Sequence, residues 1–577
     1  MKKTLLVLLA GTLALTASAQ SWQDALLYAE NEYVGTARSV AMGNALTAVG
    51  GDLGSIGLNP AGSAVAGYSQ YTITPALSIS VANAASTNPE LGFGDRVSTA
   101  YTRMKMPNIG VVASMETGRR SGLKRISFGF ISNATNDFTG RVYATGVNTH
   151  NSYCGSIASL AAGYPQEALS GTASKYGWYN LDDYAETWNL DWASMVAYRS
   201  GIISTVNGRY LGITDWDKDG KNSGILADLY QKYGVQSKGY KHDMLFNFGL
   251  NYSDTFYFGA NLGITLLKYG QAEYWQEAPN KESEFPAIPF DENPNARFQQ
   301  LEMKRIFDAK GAGAYLKFGA LWRPVGGLRL GVAFQTPTIM DVETRMGYSG
   351  KAEVSGVNLR PAQSPEWDDA FAFVSPLRLN AGIAYTLGKV ALISADYELV
   401  NYAWSNFRSQ TESAYYYPSN YFHDVNADIN DLLGVSHMLR TGMEVNVGGG
   451  VAVRAGYTLT TSGIHNYLEW VKDEDTGKEN LMVIPLTSEE RASLIKHSFA
   501  FGVGYTYGHC FTDFTVRYRS TPCSSFTPYE YYDYDTDYTD KYSVNGLEDK
   551  AYQNYQVPQV EASFRRLDVM LTLGMRF

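Results

Sequence analysis

Period-two alternation runs through most of this chain. In the C-terminal segment RRLDVMLTLGMRF, Leu567, Val569, Leu571, Leu573, Met575 and Phe577 fall on one side of an extended strand. Arg566, Asp568, Met570, Thr572, Gly574 and Arg576 fall on the other. Successive strand side chains point to opposite faces, so one face suits lipid and the other a polar interior. The same pattern returns in SFAFGVGYTY, VAVRAGYTLT and FYFGANLGITL. In the first of these, Phe499, Phe501, Val503, Tyr505 and Tyr507 oppose Ser498, Ala500, Gly502, Gly504 and Thr506. Glycines and small polar residues recur on the face assigned inward, where they leave room for a plug or a passage.

The connections sharpen the picture. Short turns at 252–254, 323–327, 387–389, 448–450 and 507–509 alternate with long polar segments. These lie at about 273–306, 346–370, 408–435, 464–493 and 521–562. An up-and-down membrane barrel alternates its connections in this way, with periplasmic turns and extracellular loops. Counting back from Phe577 predicts strands over 564–577, 509–520, 495–507, 451–463, 436–447, 390–405 and 371–387. Further strands are predicted over 328–345, 308–322, 255–272 and 241–252. Fainter alternation at 125–138, 100–117 and 68–84 brings the count to fourteen, an even number as such barrels require. The predicted fold is an all-β membrane protein, a fourteen-stranded antiparallel outer-membrane β-barrel. Residues 140–240 interrupt it with helical periodicity in SIASLAAGYPQEAL and LDDYAETWNLDWASMVAYRS, which predicts a partly helical extracellular cap.

Composition agrees with export to a membrane. Residues 1–19 read as a secretory signal, with Lys2 and Lys3, an apolar core from Thr4 to Leu15, and Ala17-Ser18-Ala19 as the cleavage site. No later stretch reaches the ~18 apolar residues of a membrane helix, so an exported chain is either soluble or crosses by strands. Without Lys2 and Lys3, 45 basic and 57 acidic side chains leave a net charge of −12, which disfavours a nucleic-acid partner. The 42 tyrosines and 56 glycines suit strands that meet a membrane interface. The location expected is the outer membrane of a Gram-negative-type bacterium, with the C-terminus periplasmic.

Candidate chemistry is sparse. The glycine-rich stretch GGDLGSIGLNPAG at 50–62 neither follows a strand and opens a helix nor carries Gly-Lys-Ser/Thr, which excludes a nucleotide loop. Gly-x-Ser-x-Gly, His-Glu-x-x-His and Cys-x-x-Cys are absent, and the seven histidines lack ligand spacing. No enzyme is expected, and no cofactor, with one exception. Asp215, Asp217 and Asp219 ahead of Gly220 match the first half of a calcium loop; the twelfth position is Leu226 instead of glutamate. Calcium is therefore the candidate cation of the cap, against an Asx-rich solvated turn. Cys510 and Cys523 lie at opposite ends of one predicted strand, too far apart to bridge. Cys154 and Cys523 both fall in predicted extracellular loops and are the pair left open for a disulfide.

Residues 37–62, ARSVAMGNALTAVGGDLGSIGLNPAG, resemble the amino-terminal hatch of the FadL family of outer-membrane transporters for fatty acids and aromatic hydrocarbons. The matching parts are Ala37-Arg38-Ser39, Met42-Gly43-Asn44-Ala45, Gly51-Asp52 and Asn59-Pro60-Ala61. The resemblance implies residues 20–67 as a hatch inside the barrel, 68–577 as the barrel, and Gly50, Gly51, Asp52, Asn59, Pro60 and Ala61 as gating positions. It also implies passive uptake of a hydrophobic small molecule, with lateral exit beside a kinked third strand. Asn133, Thr135 and Asn136, which interrupt the apolar pattern of FGFISNATNDF, are the candidates for that strand. The terminal Phe577 resembles the closing-strand signal read by the barrel assembly machinery. Outer-membrane lipid is the remaining partner, and a monomer is expected.

Two other functions stay open at this point. The long outer loops suit a secretion-associated or adhesive barrel that binds protein. Arg454, Asp513, Arg517 and Asp568, facing inward, suit a polar-solute porin.

Overall fold

The computed structural model of the chain describes residues 20–162, 164, 166–170, 191–206, 209–215, 224–290, 293–410, 421–472, 479–531 and 557–577. Before the wall come three short helices, α1 (Trp22–Ala29), α2 (Ala37–Ala41) and α3 (Leu53–Ile56). The wall begins with β1 (Gln70–Ser86), β2 (Val97–Glu116) and β3 (Leu123–Asp137, resuming over Gly140–Asn148). It continues with β4 (Leu229–Tyr252), β5 (Phe256–Pro279), β6 (Phe298–Trp322) and β7 (Leu328–Gln335, resuming over Ile339–Val354). Next are β8 (Trp367–Val374, resuming over Arg378–Leu387), β9 (Ala391–Asn401), β10 (Val435–Gly448) and β11 (Val451–Thr460). The last three are β12 (Lys496–Tyr507), β13 (Cys510–Phe526) and β14 (Val560–Arg576). Each strand pairs antiparallel with its neighbour in sequence, and β14 closes on β1 from Gln70↔Arg576 to Ser86↔Val560. This is a closed fourteen-stranded barrel.

Burial alternates along the strands as the sequence pattern requires. On β12, Phe499, Phe501, Val503 and Tyr505 are exposed while Ala500 is buried; on β14, Leu571 and Leu573 are exposed while Asp568, Met570 and Thr572 are buried. Outward phenylalanines face each other across β3 and β4, with ring centroids 5.3 Å apart for Phe128–Phe248 and 5.2 Å for Phe130–Phe246. Such an outward apolar belt fits a bilayer. The short turns need left-handed backbone. Ser253 and Asp254 between β4 and β5, and Gly448, Gly449 and Gly450 between β10 and β11, all have positive φ.

The opposite end of the barrel departs from the predicted boundaries. β5 and β6 stay paired up to Leu301↔Glu277, inside the expected loop 273–306. Residues 140–148 and 229–240 belong to the sheet, so the segment between β3 and β4 is 149–228, narrower than the 140–240 read from sequence. Beyond the apolar belt the outward face meets water and the inward face also buries polar groups such as Glu273 and Glu277, so the hydrophobic alternation fades while the hydrogen-bond ladder continues. Within that segment lie α4 (Tyr153–Leu160), α5 (Gln166–Ser170) and α6 (Trp192–Ser200). Tyr153, Ile157, Val196, Ile202 and Leu211 there form an apolar core with Trp275, Phe285 and Phe298 of the tall β5–β6 region.

Cys154 is a buried free thiol, 2.8 Å from the Thr214 hydroxyl, and Cys523 is an exposed one; the two are not joined. The reason is local. Cys154 lies in the first turn of α4, facing that core, while Cys523 lies on β13. Asp215 is also buried, its carboxylate accepting from Ser152 Oγ at 2.7 Å and Thr214 Oγ1 at 2.8 Å. The other two members of the calcium expectation, Asp217 and Asp219, lie outside the described residues.

Candidate functional site: the N-terminal segment and the break in β3

Residues 20–66 lie against the inward faces of the wall, and most of residues 34–66 are buried. Local sequence explains their shape. Thr36 caps α2 by accepting from Ser39 N–H, and Asp52 caps α3 by accepting from Gly54 N–H at 2.8 Å. Asp52 also accepts from Thr36 Oγ1 at 2.7 Å, which ties the two caps together. Gly50 and Gly51 have φ of 65° and 74°, a turn that few other residues adopt. Asn59, extended at φ −138° and ψ 111°, caps the 3₁₀ turn Pro60–Ala64 through Oδ1, with Pro60 at its first position. Its amide donates to Thr47 O at 2.8 Å and to Ala320 O of β6 at 3.1 Å. Ala61 is fully buried.

Glycines of the wall make room for this main chain. A methyl group at Gly442 would overlap Met42 O, and one at Gly456 would overlap Gly43 N. Gly331 lies against Thr47 O, Gly319 against the Asn59 side chain, and Gly259 against Pro60 C. At Gly502 the obstacle is Ala41 Cβ, 2.6 Å away, and at Gly382 it is Thr47 Cβ, 2.9 Å away. Seven of the eight strands from β5 to β12 thus carry an inward glycine where the segment passes. The remaining one, β9, donates from Ser394 Oγ to Ala45 O at 2.6 Å.

Charged side chains hold the rest. Arg38 of the segment meets Glu444 at 2.8 Å, and Glu444 also takes Arg454, which reaches Asp513 at 2.6 Å. Glu398 lies between Arg378 at 2.9 Å and Arg440 at 3.1 Å, and accepts from Tyr33 OH at 3.2 Å. The last carbonyls of α1 accept from Lys241 at 2.6 Å and from Arg378, cations well placed at a helix C-terminus. The four inward charges that suggest a porin therefore stand in pairs, Arg454 with Asp513 and Arg517 with Asp568.

One seam of the wall is incomplete. β2 and β3 pair for nine residues, from Glu116↔Arg125 to Asn108↔Asn133, and then separate. Residues 97–105 of β2 stay paired to β1 alone. Nine pairs at ~3.3 Å and a tilt near 45° climb roughly 20 Å, less than the ~25 Å apolar band of such barrels. The unpaired stretch still presents Met106 and Met104 outward, 43% and 76% exposed. Pro107, the next residue beyond the last pair, has no N–H to donate, and Pro75 sits in the β1–β2 register shift beside it.

Asn133, Thr135 and Asn136 fall at this point. Residues 133–136 are all buried, so the alternation is lost. Asn133 accepts from Asn108 Nδ2 at 2.6 Å, Thr135 Oγ1 donates to Lys241 O, and Asn136 Nδ2 donates to Glu30 O at 3.2 Å. The N-terminal segment covers the break from inside. Glu32 N–H donates to Thr135 O at 2.5 Å and Val34 N–H to Ala134 O at 2.9 Å. Backbone groups released from the ladder are thereby satisfied within the protein, as a lipid setting demands. At the other end of the wall, the Phe577 main chain exchanges two hydrogen bonds with Ser69, and its ring is exposed. Sequence reading missed Pro107, Lys105 and Asp137; a proline inside a strand pattern was the available signal for the first.

The chain is similar to several solved structures. The toluene transporter TodX of P. putida matches at 12% identity over 95% of this chain and 99% of that one, with a TM-score of 0.44. A FadL homologue of Pseudomonas aeruginosa matches at 10% identity over 95% and 99%, with a TM-score of 0.47. The Ralstonia pickettii toluene transporter TbuX matches at 13% over 96% and 100%, with a TM-score of 0.43. No family model matches the chain, and no curated protein does. Likenesses this remote bear no weight below; barrel and break stand on the hydrogen bonds given above.

Proposed function

We propose that the chain is a passive outer-membrane transporter of hydrophobic small molecules, fatty acids or aromatic compounds, with the N-terminal segment as its plug. One observation carries this reading: the β2–β3 ladder stops after nine pairs, and Glu32 and Val34 of the N-terminal segment bond to β3 just past that point. A solute leaving there enters the bilayer sideways and never crosses a water-filled pore. The long loops then face outward, and the large cap is the first surface a ligand meets. The fatty-acid and aromatic hatch resemblance of residues 37–62 points the same way.

The test is uptake of labelled dodecanoate and 1-dodecanol by cells with and without the protein in their outer membrane, beside conductance in planar bilayers. Faster uptake of either with no steady conductance supports the reading. Steady ion conductance without uptake of either favours the polar porin. Neither signal favours a barrel that binds protein through its loops.

A further inference from the structure

Above Asn108↔Asn133 the two strands are joined by side chains in place of main chains. Lys105 of β2 reaches Asp137 of β3 at 3.0 Å and Asp568 of β14 at 2.9 Å. Arg566, also of β14, meets the Asp137 carboxylate at 3.6 Å and donates to the Asp137 carbonyl at 3.0 Å and the Thr139 carbonyl at 2.5 Å. Arg103 adds a longer contact to Asp137 at 3.9 Å. Behind them Asp568 takes Arg517 at 2.8 Å and Arg519 at 2.9 Å, and both arginines also meet Glu32 of the N-terminal segment. Glu32 is the residue whose N–H bonds to Thr135 of β3. The contacts therefore run without interruption from the broken seam to the segment behind it.

The balance of charge is uneven. Five cations face three carboxylates: Glu32, Asp137 and Asp568. Arg519 Nε is buried and has no hydrogen-bond partner among the described residues. A surplus of desolvated positive charge favours an incoming anion over a neutral group. An incoming carboxylate can make the same charge-assisted bonds to these cations that a side-chain carboxylate makes, whereas a main-chain ladder cannot be exchanged in that way.

We infer that the break is closed by an ion-pair latch with Asp137 as its bolt, and that passage is an ion exchange. An anionic head group on an apolar tail takes Lys105 from the Asp137 carboxylate, and Arg566 from that carboxylate and from the carbonyls of Asp137 and Thr139, freeing β3 from β2 and β14, while Asp137 keeps Arg103 and the Thr139 N–H. A neutral solute offers the cations nothing and passes more slowly. This rests on the transport reading above and adds the group that opens the exit.

The test uses the full-length protein in the outer membrane and three probes with the same tail: dodecanoate, dodecane sulfonate and 1-dodecanol. Wild type is expected to admit both anions faster than the alcohol. Sulfonate lagging dodecanoate would assign the site to carboxylates; equal rates would assign it to anionic heads in general. Asp137→Asn, checked for folding by its heat-dependent gel shift, should raise dodecanol entry at least about tenfold. Lys105→Gln frees the same bolt from β2 and should raise it as well, which covers a failure of the first variant to fold. Equal wild-type rates for dodecanoate and dodecanol, or folded variants with unchanged dodecanol entry, overturn the latch. Absence of entry for every probe in wild type overturns the transport reading itself.

Discussion

Two halves of the wall hold the N-terminal segment by different means. From β5 to β12, inward glycines let main chain lie on main chain. On β13, β14, β1, β2 and β3 hydroxyls and charges are added to apolar packing, such as Leu53 and Ile56 on Val112 and Ile131, and to the main-chain bonds at Ala134 and Thr135. Thr515 Oγ1 donates to Ala37 O at 2.7 Å, Thr572 Oγ1 accepts from Ala37 N–H at 2.7 Å, and the arginines of β13 reach Glu32. Close main-chain packing tolerates no added atom and no slippage, because interiors are filled to near-crystal density. Hydrogen bonds and ion pairs to side chains can change partner. Under the transport reading proposed above, movement of the segment is assigned to the charged half, which is also where the β2–β3 ladder stops.

The sharpest way to break this contrast is to fill a glycine. Gly456→Leu places a side chain where Gly43 N and Met42 C already stand. Expected is a loss of at least ~3 kcal/mol, the upper range of overpacking, and no barrel with the segment inside. Heat-dependent gel migration and protease cleavage between residues 20 and 66 would show it. A normally folded, protected Gly456→Leu protein would erase the distinction between the halves.

Next in size is the charged half. Asp568 is fully buried and holds Lys105, Arg517 and Arg519 together. Asp568→Asn leaves three cations around a neutral amide, a loss of about 3 kcal/mol. Because those pairs are exchangeable, the barrel should still form, with faster hydrogen exchange at Glu32 and Val34 and no change at Met42. Equal loosening at Met42 would mean that the segment moves as one body.

The third test places a pH response outside both halves. Burial pushes the Asp215 carboxyl of the cap up to about 7, with the Ser152 and Thr214 hydroxyls opposing. The folded cap therefore binds this proton more tightly than the unfolded chain does. Its contribution to stability is complete below about pH 4 and is lost as pH rises through about 7, about 2 kcal/mol between pH 5 and 8. Exchange protection of α4 should fall over that range and flatten in Asp215→Asn, while residues 34–66 stay unchanged.

Much of the wall was legible in sequence for a plain physical reason. Lipid on one side and a packed interior on the other force period two, as Phe499, Phe501 and Val503 against Ala500 display. Gly456 and Gly502 stood on the inward face by the same count. Asn133, Thr135 and Asn136 showed because they break the alternation. Lys105 and Asp137 did not, since an inward charge is ordinary until its partner is known, and Asp568 lies 463 residues from Lys105. Strand height was illegible too, since the β5–β6 ladder continues past the apolar belt where nothing enforces alternation.

The smallest expected effect probes the glycine half with a side chain. Asn59 is 1% exposed and makes three hydrogen bonds, to Ala61 N–H, Thr47 O and Ala320 O. Asn59→Ala removes the cap and both donated bonds, a loss of about 1 kcal/mol in urea unfolding. Gly319 leaves room for this side chain and for Pro60 Cδ, 2.8 Å from where a methyl would stand, so Gly319→Ala should destabilise wild type more than the Asn59→Ala protein, in which Pro60 Cδ alone still obstructs. Additive losses would instead show that Gly319 serves the strand alone, and that the fit between wall and segment is looser there than at Gly456.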